Sequence, residues 1–183
     1  WPANPDGTIP DNPRDTSATL EPIEINVNQL VAEPTTKMTL GVNLPALDTQ
    51  YDATGTPRIR TTPVEYFDNL GSSQQVLVTY SPDVSVVGQQ SNRWTITMQD
   101  SAQIDPGTNE PLIIGEYFLE FDDATQTAGA LSTVSQSATN PVGGVYDPLL
   151  GTVSVDVGRG PIEVTIGAIG AGNGITQFAD SFA

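Results

Sequence analysis

Tyr66-Phe67-Asp68-Asn69-Leu70-Gly71-Ser72-Ser73-Gln74-Gln75-Val76-Leu77-Val78-Thr79-Tyr80 is the stretch that decides how this 183-residue chain is read. Asp68 and Asn69 favour side-chain bonds to the neighbouring backbone, and Gly71 accepts a positive φ at little cost, so residues 68–71 form a turn. A strand-like run over residues 58–67 precedes it, and the β-branched, apolar run 75–80 follows it. Two such runs about a short connection predict a β-hairpin.

Outward from this hairpin the period-two pattern recurs. It is present in Ile23-Glu24-Ile25-Asn26-Val27, in residues 37–44 with Met38, Leu40, Val42 and Leu44 on one face, and in Trp94-Thr95-Ile96-Thr97-Met98. It returns in residues 117–121, more weakly in 130–134, and then in 152–157, 162–166 and 175–178. Residues 46–57, 99–111, 122–129 and 135–151 read as loops or turns, and residues 27–32 are the one place that admits a helical turn. Pro2, Pro5, Pro10 and Pro13 forbid regular structure in the first stretch, which reads as an extended arm. The expected fold is all-β: an antiparallel β sandwich or partly closed barrel of about eight strands, with extended arms at both ends. Clean alternation gives each strand one wet and one dry face, and Trp94, Ile96, Leu119 and Phe121 are expected in the core.

Charge and composition narrow the function. Acidic residues outnumber basic ones 22 to 6, a formal charge of −16. The bases Arg14, Lys37, Arg58, Arg60, Arg93 and Arg159 are scattered, which excludes a phosphate-binding stripe and with it nucleic acid; the charge also repels an anionic membrane. No apolar run approaches the roughly 20 residues of a membrane-spanning helix. Histidine and cysteine are absent and Lys37 is the lone lysine, so the imidazole base, the Ser-His-Asp arrangement and thiolate metal ligands are unavailable. The chain is therefore not expected to be an enzyme or to carry a cofactor.

Three chemical alternatives arise from the acidic and glycine-rich segments. Asp122-Asp123 reads as a solvated turn, although a carboxylate pair across a groove would suit a glycosidase fragment. A calcium ion held by Asp48 and Asp52, or by Asp122 and Asp123, stays open, but no EF-hand spacing is present. The run Gly167-Ala168-Ile169-Gly170-Ala171-Gly172-Asn173-Gly174 lacks the Lys-Ser/Thr ending of a phosphate loop and reads as a flexible connection. An exposed aromatic row or a bound calcium would favour a carbohydrate-binding or adhesin-type β module of a bacterial surface protein. With Trp1 at its start and Ala183 at its end, the chain reads as a segment of a longer protein, with any sorting signal outside it.

The hairpin also carries a resemblance. Phe67, Asp68, Leu70, Gly71 and Ser73 are similar to the Tyr, Asp, Leu, Gly and Ser of a Val-Tyr-Asp-Ser-Leu-Gly-Asn-Ser-His segment in the bacterial flagellar hook protein. Gln74 stands where that family has His, and Asn69 where it has Ser. Further similarities follow in order: Asn92-Arg93-Trp94-Thr95-Ile96, then Leu119-Glu120-Phe121-Asp122 with Gly129-Ala130-Leu131, then Gly174-Ile175-Thr176-Gln177-Phe178-Ala179. Upstream, Trp1-Pro2 with Asp6-Gly7, and residues 37–44, resemble the approach to the family's outer domain.

The resemblance implies a structural subunit of the flagellar hook, exported by the flagellar type III pathway and located outside the cell. Its partners would be other copies of the same subunit in a helical assembly. Residues 1–36 would be an N-terminal arm and inner-domain segment, 37–172 the outer β domain, and 173–183 a return segment toward the inner domain. Phe67, Asp68, Leu70, Gly71 and Ser73 would form the structural turn of the family motif. Without the parent's ends, the isolated fragment is expected to be monomeric.

Overall fold

The computed structural model describes residues 6–8, 32–179 and 182. The chain divides into two compact units, Trp1–Val31 and Ala32–Ala183. In the first unit the described residues form a small polar turn, in which the Asp6 carboxylate accepts bonds from the Thr8 amide at 3.0 Å and the Thr8 hydroxyl at 2.7 Å. The expected strand over residues 23–27 lies outside the described residues. So does the helical turn admitted at 27–32, apart from Ala32, which is not helical.

Among the described residues, the second unit holds ten strands. They are β1 (Lys37–Thr39), β2 (Val42–Pro45), β3 (Arg60–Phe67), β4 (Ser73–Pro82), β5 (Arg93–Ile104), β6 (Pro111–Phe121), β7 (Leu131–Ser135), β8 (Thr152–Asp156), β9 (Pro161–Thr165) and β10 (Ile175–Phe178). Strands β3 to β7 form a five-stranded antiparallel meander in chain order. A three-stranded sheet has the order β1-β9-β8, and β10 pairs with β2.

The period-two pattern explains the layering. The inward positions Val76, Val78 and Tyr80 of β4, Trp94, Ile96 and Met98 of β5, and Tyr117, Leu119 and Phe121 of β6 are all buried. From the smaller sheet come Met38, Val153, Val155, Ile162 and Val164, and from the last pair Leu44 and Ile175. All belong to one hydrophobic cluster. The sheets approach closely enough that a Cβ on Gly115 of β6 would sit 3.0 Å from a methyl of Val155 on β8.

The structure departs from the sequence reading in three places. The single run over residues 37–44 is split, because the chain leaves the three-stranded sheet after β1 and joins β10 through β2; the Leu40 amide still donates to the Thr165 carbonyl at 2.9 Å before Gly41. Strands β5 and β6 run well into the region read as a loop over residues 99–111. A register shift at Met98/Gln99 puts Ile114 and Gly115 both inside, which spoils the alternation that marks a strand. Finally, β1 pairs with β9 and β2 with β10 in parallel, whereas all other strand pairs run antiparallel. Residues 46–49 form one 3₁₀ turn inside the expected loop. Segment 173–183 contributes β10, and Ile175 is fully buried in the common core.

Candidate functional site

The family-like turn is built around one carboxylate. Asp68 Oδ1 accepts bonds from the amides of Leu70 at 2.8 Å and Ser72 at 2.9 Å. The Asp68 amide donates to the Ser72 carbonyl and the Gly71 amide to the Asp68 carbonyl. Gly71 has φ +77°, where an L side chain is strained. Arg159 lies 3.5 Å from Asp68 Oδ2, and the Asn69 amide group donates to the Arg159 carbonyl at 2.7 Å. The β3–β4 turn is thereby tied to the β8–β9 turn, joining the two larger sheets at one end. The Ser72 amide above all, then the Leu70 amide and Arg159, hold the Asp68 carboxyl below the usual carboxylate range. Ser73 donates from its hydroxyl to Glu65, while Phe67 and Leu70 are exposed. Trp94, Ile96, Leu119 and Phe121 are each at most 4 % exposed.

Three of the candidate ligand carboxylates, Asp48, Asp52 and Asp122, are engaged in structural roles. Asp48 is buried against Arg60 at 2.8 Å and Arg58 at 3.5 Å. Asp52 accepts from the Thr54 amide at 2.8 Å, and Asp122 accepts from the Ala124 amide at 2.8 Å and from the Thr127 hydroxyl. The hydroxyl and amide donors depress the Asp122 carboxyl below its ordinary range. Among the described residues no three carboxylates converge on a point that would hold an ion. Asp100, which the sequence reading placed in a loop, is fully buried on β5 and accepts from the Tyr66 hydroxyl at 2.7 Å and the Gln103 amide group at 3.0 Å. Burial first, and that bond second, push the Tyr66 hydroxyl above its ordinary range. Gln103 also donates to the Asp156 carbonyl at 3.1 Å, a second tie from β5 to β8.

The surface hollows are shallow. One of them, about 510 Å³, is lined by Asp83, Arg93, Phe118, Glu120, Thr133 and Ser135, among others. Asp83 is bound to Ser85 at 2.6 Å and sits 3.6 Å from Arg93. The exposed aromatics Phe67 and Phe118 share the outer face of the five-stranded sheet but not a row. Phe67 faces Ser73 across β4, and Phe118 faces Thr95, which faces Ser81. Eight residues of β4 separate those points, about 27 Å at strand rise, so no stacking platform forms there.

Between them one row of the outer face is a hydroxyl ladder, beside a row formed by Pro63, Leu77, Gln99 and Ile113. Thr61, Thr79 and Thr97 lie side by side across β3, β4 and β5, with Thr61 and Thr79 hydroxyls 3.4 Å apart, and Glu116 continues the row on β6. The sequence reading missed the tie between the two turns, because Arg159 lies 91 positions from Asp68 and no local pattern links them. It also passed over Val145, Leu149 and Leu150, which are highly exposed in a loop read only for its Gly, Asn and Pro content.

No curated protein matches this chain. The family described as flagellar basal body protein FlaE D2 domain matches residues 26–183.

Proposed function

The chain belongs to the flagellar basal body protein FlaE D2 domain family, and from that membership we propose that it forms the outer β domain of a hook subunit, which packs and slides against its neighbours in a flexible, torque-transmitting tube. The family is a structural domain of the flagellar hook, not an enzyme, and hooks are polymers of copies of the hook protein. The domain thus belongs to the bacterial flagellum. On this reading the subunit leaves the cell by the flagellar type III pathway and works outside it.

The observation that carries the sliding role is the hydroxyl ladder of Thr61, Thr79 and Thr97 on the broad sheet face. A joint that bends while rotating needs contacts that are remade each turn. Wet, polar surfaces of modest area exchange partners easily, whereas a large apolar interface locks. Residues 37–172 are assigned to the outer β domain, with 1–36 as the arm and inner-domain segment and 173–183 as the return segment. The pairing of β2, close to the entry, with β10, close to the exit, supports the inserted-domain reading, since an inserted domain needs neighbouring connections, and it makes the start of the return segment part of the same fold. The motif turn Phe67, Asp68, Leu70, Gly71 and Ser73 serves as its structural corner.

The test is replacement of Thr61, Thr79 and Thr97 together by leucine in the full-length subunit. Electron microscopy of the resulting hooks should show straighter, stiffer tubes; unchanged curvature and flexibility would overturn the sliding role.

A further inference from the structure

The loop between β7 and β8 holds three large aliphatic side chains in water: Val145 is 86 % exposed, Leu149 89 % and Leu150 64 %. The loop is firmly built. Asp147 Oδ1 accepts from the amides of Leu149 at 2.8 Å and Leu150 at 3.1 Å. The Gly151 amide donates to the Asp147 carbonyl at 2.8 Å, and the Asp147 amide to the Thr152 carbonyl at 2.9 Å. The Tyr146 hydroxyl donates to the Gly167 carbonyl at 2.7 Å, and the Gly151 carbonyl accepts from Ile166 and Gly167. Burial of the inward-facing core is complete without these leucines, so the fold does not account for their display. A fixed apolar projection of this kind marks a contact surface.

Elsewhere on the unit lies a hollow of about 400 Å³, lined by Leu47, Gln50, Tyr51, Gly88, Gln89 and Gln90. Leu47 and Tyr51 are exposed. This hollow is also preformed: the Tyr51 amide donates to the Gln89 carbonyl, the Ser91 amide to the Thr49 carbonyl, and Gln50 bridges Gln90. Its surroundings are unusual for a chain of charge −16, because Arg58 and Arg60 both pair with Asp48 and Arg58 also acts on nearby Asp52. The projecting loop carries one carboxylate, Asp147, and meets little repulsion at a place where charges are locally balanced.

Resting on the hook reading above, we infer that the Val145/Leu149/Leu150 projection of one copy of this chain docks into the Leu47/Tyr51 hollow of the next. The two surfaces differ, so the contact is heterologous. A heterologous contact propagates from copy to copy without pairing off, as a helical tube requires. Three aliphatic side chains carry no directional bonds, so the contact can pivot while the wet faces around it slide.

The chain has no cysteine, which makes engineered cross-links easy to read. Two pairs serve, each placed in the full-length subunit: Leu149→Cys with Gln89→Cys, and Leu150→Cys with Gln50→Cys. After assembly and mild oxidation, either double variant should give a ladder of dimers, trimers and higher species, and each single variant no ladder. Leu149→Asp with Leu150→Asp should leave the melting temperature of the chain unchanged and raise the subunit concentration needed for assembly about tenfold, as for one lost contact. Normal tubes with no ladder from either pair would overturn this contact and leave the hook reading standing. A cross-link within one subunit, or to a different protein, would also overturn it. Failure of the unmutated full-length subunit to form tubes would remove the hook reading itself, and the contact with it.

Discussion

Asp68 shows how much structure one carboxylate can organise. It closes its own turn and meets Arg159 from the other sheet. Its folded pKa is depressed, so its contribution to stability is present above the ordinary carboxylate value of about 3.9 and is lost as pH falls through the lower folded value. Thermal melts down to about pH 2 should therefore show the native chain losing stability below about pH 4, and Asp68→Asn losing less over the same range. At neutral pH, Asp68→Ala should lower the melting temperature, since the Leu70 and Ser72 amides lose their acceptor. Gly71→Ala should cost about 1–2 kcal/mol by denaturant titration, because φ +77° lies in the left-handed region. The residues of this turn were legible beforehand: Asp, Asn and Gly at that spacing carry their own local chemistry. Arg159 was not, because nothing in its neighbours Gly158 and Gly160 points 91 positions back along the chain to Asp68.

At the level of elements, alternation identified strands wherever a face was uniformly wet or dry, as in Trp94-Thr95-Ile96-Thr97-Met98 and Thr152-Val153-Ser154-Val155-Asp156. It failed where a bulge intervened, since Ile114 and Gly115 are consecutive and both buried. It also failed where a polar residue turned inward, as Asp100 does to receive the Tyr66 hydroxyl. The exchange of sheets at Gly41 had no periodic signal, because Met38, Leu40 and Leu44 stay on the dry side through the break. The projecting loop could have been found from its composition, since Val145, Leu149 and Leu150 stand among residues with no strand period to bury them. The return segment is energetically part of the same core: Ile175→Ala should destabilise the whole unit by about 2–5 kcal/mol, the range for truncating a buried isoleucine. Equilibrium unfolding followed by Trp94 fluorescence checks this, and a loss confined to the tail with an unchanged main transition would refute it.

For the molecule as a whole, the charge of −16 sets the terms of association. Free chains at low salt should sediment as monomers. Raising the salt should allow association only to the extent that it screens the repulsion, over a Debye length of about 10 Å at 0.1 M. Stable tubes formed by the chain alone at low salt would contradict that. The terminal strands have one more consequence. The chain comes in along β1, which runs parallel to β9, and leaves along β10, which runs parallel to β2 with Val42 beside Ile175 and Pro45 beside Phe178. Tension applied through the two connections therefore pulls β1 along β9 and β10 along β2. The ladder bonds then share the load at the same moment instead of parting one by one from an end, so the unit resists being stretched by its two ends.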